Sequence, residues 1–109
     1  MERLKISKTR LRALIEEAIV DCYNEDEQEG GFLVMLEENM PTPFQALVVG
    51  EEVEVIGFDQ GVEDRGIMAI CQRQGKKHRA SVTSLEWSGK PPKGAEWIAA
   101  YQAWVRGNW

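Results

Sequence analysis

Acidic side chains are the residues of this sequence whose type and spacing could carry chemistry. No Lys or Arg occurs between Ala13 and Asp64, and this 52-residue stretch contains fifteen Asp and Glu residues. The other 57 residues contain thirteen Lys and Arg and three acids, so charges of −15 and +10 produce the net charge of −5. Crowded carboxylates repel one another unless cations offset them. Either the basic remainder folds back on the stretch, helped by salt screening, or a divalent cation binds there.

Two consecutive predicted helices would bring several of these carboxylates together. On the first helix, at 100° per residue, Glu17 and Asp21 share one sector beside the apolar stripe. On the second, Glu25 and Glu29 continue the stripe that contains Phe32, and burying a bare charge there is costly. A tight turn between these helices would bring the four carboxylates close together. Because Ca²⁺ takes six to eight oxygen ligands, mostly carboxylates and carbonyls, the sequence predicts a calcium site there. The candidate metal ligands are Glu17, Asp21, Glu25, Glu29, Glu37, Glu38, Asp59 and Asp64.

Four of these candidates depend on further conditions. Glu37 and Glu38 reach the same site only if the Gly30-Gly31 pair bends the second helix. Asp59 and Asp64 lie in one predicted hairpin loop, which could hold calcium loosely or merely stay solvated. Three of the others also have an ordinary explanation: Glu17 and Asp21 as solvated helix flanks, and Glu25 as an acid that complements a helix dipole. The EF-hand pattern does not occur in this sequence, so no strong motif accompanies the calcium prediction.

The elements that must position these residues follow from periodicity and capping. A first helix is predicted over residues 8–23, capped by Ser7. A second is predicted over residues 25–39, where Asn24 and Glu27 form a capping box. Short strands are predicted at residues 44–49, 52–58, 66–72 and 78–85, and a last helix at residues 95–105.

These elements predict an α+β fold in one domain spanning residues 1–109. Two N-terminal helices occupy about residues 7–40. A small four-stranded antiparallel twisted sheet, or alternatively an SH3-like barrel, occupies about residues 43–86. A C-terminal helix over about residues 95–106 completes the domain. A chain of 109 residues is too short for two independent cores.

The inventory of nucleophiles and metal-binding histidines does not favour an enzyme. Cys22 falls on the apolar stripe of the first helix, where a buried structural thiol is expected. His78 is the only histidine and stands among Lys and Arg, so neither a zinc site nor a Ser-His-Asp triad can be assembled. Cys22 and Cys71 form no CxxC motif, which predicts a reduced cytoplasmic protein. No apolar run is long enough for a membrane helix, and no membrane partner is expected.

The basic segment Arg73–Arg79 is the best nucleic-acid feature of the sequence. No aromatic residue interleaves it, so the stacking platform of single-strand readers is missing, and the negative net charge also disfavours a polyanion. Nucleic acid is therefore an unlikely partner, and the acidic part of the same chain is the expected one. The alternative function is a small β-barrel interaction module that binds a protein or RNA partner.

Several runs of the sequence resemble a known family. The run from Leu14 to Gln28, and chiefly its core Asp21-Cys22-Tyr23-Asn24-Glu25, is similar to small bacterial proteins related to the cyanobacterial calcium-binding protein CcbP. Residues 31–39, 49–56 and 95–101 continue the resemblance, which covers about residues 11–105. It implies a compact, non-enzymatic α+β protein that binds calcium through acidic side chains outside any EF-hand. It also implies a role in calcium buffering or signalling.

Overall fold

The computed structural model describes residues 6–61, 66–107 and 109, and within them it contains three helices and five strands. The elements are α1 (Lys8–Ile19), α2 (Glu25–Asn39), β1 (Phe44–Val48), β2 (Glu51–Gln60), β3 (Ile67–Arg73), β4 (Lys76–Ser81), β5 (Leu85–Glu86) and α3 (Ala95–Arg106). A 3-10 turn at Val82–Ser84 separates β4 from β5. The predicted α+β class and the order of helices and sheet are confirmed.

The first helix ends earlier than predicted. Ser7 caps α1 through its hydroxyl, which accepts a hydrogen bond from the Arg10 backbone N–H at 3.1 Å. The helix stops at Ile19, because Val20 leaves the helical conformation with ψ of 135°, and Asp21 then turns the chain with a positive φ of 60°. The prediction that Asp21 shares a helical sector with Glu17 is therefore wrong, since Asp21 lies in the turn after the helix.

The second helix has the predicted bounds and shows no break at its glycine pair. The Asn24 side chain accepts from the Glu27 N–H at 2.8 Å, and the Glu27 carboxylate accepts from the Tyr23 N–H at 3.0 Å. Gly31 faces α1 so closely that a β-carbon there would lie 2.1 Å from the backbone oxygen of Ala18. The glycine therefore serves the close approach of the two helices, and it does not interrupt α2.

The sheet is antiparallel and open, with strand order β4-β3-β2-β1-β5. One more strand is present than predicted, because Leu85–Glu86 pairs with β1 separately from β4. In the described pairings β4 and β5 form the two edges, so the sheet does not close into the alternative SH3-like barrel.

One face of the sheet carries the core. Phe44, Val55 and Cys71 are partners across β1, β2 and β3, and all three are buried. A β-bulge between Val55 and Gly57 shifts the phase of β2, so that Phe58 also points inward. The strongly alternating burial along β3 matches a sheet that is covered on one side.

The third helix is fixed over the second by a glycine and an aromatic cluster. Gly94, at φ of 82°, starts α3 so close to the end of α2 that a β-carbon would lie 2.2 Å from the Asn39 backbone oxygen. Phe32 then contacts Tyr101 and Trp104, with ring centroids 5.4 and 5.3 Å apart. The start of α3 therefore lies at the end of α2, and the later residues Tyr101 and Trp104 pack against the earlier part of α2. No helix in the described ranges has the length and apolarity needed to cross a bilayer.

Candidate metal site

A cleft of about 350 Å³ lies where α2, α3 and the end of β4 meet. Most of its lining residues present oxygen atoms, which are the atoms that Ca²⁺ prefers. The lining consists of Glu25, Gln28, Glu29, Gly66, Ser81, Thr83, Tyr101, Trp104 and Val105. Two of the predicted metal ligands, Glu25 and Glu29, therefore face one concave site together.

The two carboxylates reach the cleft because they continue the buried side of α2. Glu25 and Glu29 are one turn apart, and the same side of the helix carries the fully buried Phe32 and Leu36. Glu25 is exposed and Glu29 is half-buried. The predicted arrangement is confirmed: one face of α2 carries buried apolar side chains at Phe32 and Leu36, and the carboxylates of Glu25 and Glu29 continue that face at the edge of the cleft.

Glu29 is held by a phenol from α3. The Tyr101 hydroxyl donates to Glu29 Oε2 at 3.1 Å and accepts from the Ile67 backbone N–H at 3.0 Å. Burial of the ring is the main reason that the pKa of Tyr101 is raised to about 12, and the adjacent Glu29 charge adds to the increase. The phenol therefore stays protonated and donates to the carboxylate over the physiological pH range.

Neutral oxygen atoms complete the cleft. The Ser81 and Thr83 hydroxyls lie 2.7 Å apart, and the Ser81 hydroxyl also accepts from the Thr83 N–H at 3.2 Å. The Gln28 side-chain oxygen accepts from the Trp104 indole N–H at 3.2 Å. These contacts hold further polar groups in the lining of the cleft.

Sequence reasoning missed Tyr101 as the partner of Glu29, and it missed the polar residues that line the cleft with Glu25 and Glu29. Tyr101 gave the only usable signal, since a tyrosine on the buried stripe of a helix needs a hydrogen-bond partner for its hydroxyl. The hydroxyls of Ser81 and Thr83 gave none, because residues of this type occur on most surfaces.

Two of the other candidates lie on exposed positions near the turn between α1 and α2. Glu17 is exposed, and its charge contributes to the raised pKa of Arg10, whose main cause is the hydrogen bond to Glu96. Asp21 is exposed in the turn itself. Neither residue lines the cleft that contains Glu29.

Glu37 and Glu38 are at the opposite end of α2. Since the helix is continuous, the 12-residue separation of Glu37 from Glu25 corresponds to about 18 Å along its axis. Both residues are exposed. The bend on which their approach to Glu25 depends does not occur, since α2 is continuous through Gly30 and Gly31.

Asp59 lies in a strand and already has a cationic neighbour. The prediction of a loop position is wrong, because Asp59 pairs with Met68 inside the β2–β3 ladder. Its Oδ2 atom lies 2.7 Å from Arg79 Nη2, while its Oδ1 atom is buried without a hydrogen-bond partner in the described part of the chain. Asp64 lies outside the described residues.

Cations of the basic hairpin neutralise part of the acidic stretch. Arg73 forms an ion pair with Glu51, and Arg79 forms one with Asp59. Intrachain pairing, the first of the two explanations for the acidic stretch, therefore applies to these acids. It does not extend to Glu25 or Glu29, which have no ion-pair partner among the described residues.

The cleft is an incomplete ligand set by itself. Across residues 6–61, 66–107 and 109, no three Asp, Glu, His or Cys side chains form a group that could hold a metal ion. Two carboxylates together with hydroxyl, amide and water oxygens would have to provide the coordination. Such a set fits Ca²⁺, which accepts neutral oxygens and irregular geometry, and it does not fit a tetrahedral zinc site.

Comparison with known proteins decides the family. A family model of the CcbP type, described as calcium binding, matches residues 12–105. The chain belongs to the CcbP calcium-binding family. The resemblance inferred from the Asp21–Glu25 core is thus confirmed, and membership favours calcium binding over the interaction-module alternative.

Two solved structures share the CcbP-family fold. The crystal structure of Anabaena CcbP has a TM-score of 0.74 and 20% identity, with 96% of this chain and 95% of that chain covered. A calcium binding protein in the calcium-binding form has a TM-score of 0.75 and 20% identity, with 100% and 98% covered. At this identity the comparison establishes the fold. Comparison with curated protein sequences gave no match.

Proposed function

We propose that this CcbP-family protein binds calcium in the cleft between α2 and α3, with Glu25 and Glu29 as the carboxylate ligands. One observation carries the proposal: these two acids extend a buried helix stripe into a cleft with further oxygen atoms. Glu29 is half-buried and has no ion-pair partner among the described residues, and a carboxylate in such a position is more favourable beside a cation. The proposed role requires no catalytic step.

The composition of the cleft favours calcium over other divalent ions. Among the residues that the structure describes, no sulfur or imidazole lines the cleft, which disfavours zinc and other softer metals. Mg²⁺ demands a near-ideal octahedron and releases its water reluctantly, whereas Ca²⁺ tolerates a loose set of oxygens. Because only two ligands are charged, we expect weaker calcium binding than in a site with more carboxylates.

We propose calcium buffering or signalling as the physiological role, in the cytoplasm, where Cys22 and Cys71 stay reduced. A weak site exchanges its ion quickly and responds to large changes in concentration. The remaining candidate ligands Glu17, Asp21, Glu37, Glu38, Asp59 and Asp64 stay predictions, and the experiment below separates them from the cleft.

Calorimetric titration of the full chain with Ca²⁺ tests the site. We expect E25Q and E29Q each to raise the Kd by about ten-fold, since each removes one of two charged ligands. Matched controls are E37Q and E38Q, which change exposed acids of the same helix and should alter the Kd by less than about two-fold. Wild-type protein without a calcium signal at millimolar concentration would contradict binding. Controls that weaken binding as strongly as E29Q would place the site elsewhere.

A further inference from the structure

We propose that Tyr101 is a positioning residue for the calcium site: its hydroxyl holds the Glu29 carboxylate in the orientation that binds the ion. The inference rests on the proposed function, because it assigns a role to a group that does not itself need to touch calcium. Tyr101 belongs to α3 and is 72 residues away from Glu29 in the sequence.

The direction of the hydrogen bonds at the phenol is fixed. The Ile67 backbone N–H can only donate, so the Tyr101 oxygen accepts there. The single hydroxyl proton is then available to Glu29, whose ionised carboxylate can only accept. The bond uses Oε2, so the carboxylate keeps lone pairs on both oxygens for a metal ion. Partners of this kind orient metal ligands in many protein sites.

The phenol is a rigid support for this bond. Its ring is buried and packs edge-on against Phe32, with a centroid distance of 5.4 Å, and stacks on Trp104 at 5.8 Å. Ile67 starts β3, so the hydroxyl is also tied to the sheet. A glutamate has several rotatable bonds, and fixing it before the ion binds lowers the entropy lost on binding.

The glycine at position 66 provides the space for this arrangement. A β-carbon there would lie 2.6 Å from the Tyr101 hydroxyl and 3.6 Å from Glu29 Oε2. The backbone of Gly66 has φ of 79°, a conformation that favours glycine. The backbone at Gly66 thus lies close to both partners of the Tyr101–Glu29 hydrogen bond, in a space too small for a side chain.

Calcium affinities of matched variants test the inference. Y101F removes the hydroxyl and keeps the ring, and we expect it to raise the calcium Kd by about ten-fold. Because it also leaves the Ile67 N–H without a partner, it lowers the Tm. F58L serves as the stability control, since Phe58 is buried beside Phe44 and does not line the cleft. Y23F is the matched tyrosine control at a site that is 90% exposed.

Each outcome of the titration has a defined meaning. With all variants measured at a temperature well below their Tm, the inference predicts a raised Kd for Y101F and for E29Q, and an unchanged Kd for F58L and Y23F. A raised Kd for E29Q with an unchanged Kd for Y101F would overturn the positioning role alone. An unchanged Kd for E29Q would overturn the proposed site as well. Equal loss in F58L and Y101F would show that destabilisation, not positioning, lowers affinity.

Discussion

The backbone oxygen of Ala18 occupies the space that a side chain at Gly31 would need. A β-carbon built on Gly31 would lie 2.1 Å from that oxygen, while one built on the neighbouring Gly30 would meet nothing within 4 Å. The contact fixes the distance between α1 and α2, and it explains why a glycine is found in the middle of a 15-residue helix.

This difference between the two glycines predicts opposite effects of alanine. G31A should lower the free energy of unfolding by about 1–3 kcal/mol, because α1 and α2 must move apart. G30A should raise it by about 0.5–1 kcal/mol, because alanine is the better helix former and has room. Urea denaturation of both variants measures the effects. Equal effects of the two substitutions would contradict the close contact of the helices.

A second comparison of two glycines, Gly66 and Gly75, tests the cleft. G66A and G75A both place alanine at a left-handed φ, with values of 79° and 76°, which costs about 1–2 kcal/mol. Only the methyl group of G66A would meet the Tyr101 hydroxyl. We expect G66A to be the more destabilising of the two and to weaken calcium binding, while G75A leaves the affinity unchanged. Thermal unfolding with and without Ca²⁺ compares them, and a calcium shift that survives intact in G66A would refute the prediction.

Calcium should stabilise the folded chain. At about 100 times the Kd, an ion that binds only the folded state adds about 2.7 kcal/mol. For a domain of this size that is a rise in Tm on the order of 10 °C relative to chelator, with a smaller rise in Mg²⁺. The variant D21N separates the two site hypotheses. If acids from both N-terminal helices bind one ion, D21N should show a smaller calcium-induced rise in Tm than the wild-type protein. If the ion binds in the cleft, the rise in Tm should equal that of the wild-type protein.

Stability should fall at alkaline pH through Tyr101. Its folded-state pKa of about 12 lies above the ordinary tyrosine value of about 10, so the folded protein holds the proton more tightly than the unfolded chain. The resulting stabilisation is fully present below pH 10 and is lost as the pH rises towards 12. Phenolate absorbance should show Tyr101 titrating near pH 12 in the folded protein, and Y101F should lose the steep fall in urea midpoint over this range. A wild-type midpoint independent of pH between 10 and 12 would contradict the burial of the phenol.

Local signals in the sequence predicted the helices and most of the sheet. Asn24 and Glu27 supply a complete capping box, and this is why the bounds of α2 agree with the structure. The end of α1 was missed because an aspartate in a left-handed turn leaves the apolar periodicity of the preceding residues intact. Strand β5 was missed because two residues carry no periodicity and depend on pairing with β1.

The candidate site was predictable only in part, for a similar reason. Glu25 and Glu29 could be found because a carboxylate on an apolar helix stripe is visible in the sequence. The hydrogen bond of Glu29 to Tyr101, and the position of Ser81 in the same cleft, depend on how α3 and the end of β4 pack on α2, which no local pattern contains. The pairing of Asp59 with Arg79 likewise depends on strand register.

The outer strand β4 places four exposed side chains, Lys76, Lys77, His78 and Arg79, along an edge with unsatisfied backbone donors and acceptors. Such an edge is a template on which another polypeptide can add a strand and begin to aggregate. A second molecule that approached with its own β4 would bring two rows of like charge within a few ångströms, and the repulsion opposes that pairing. The hairpin that contributes cations to Glu51 and Asp59 thereby also disfavours pairing between the β4 edges of two molecules.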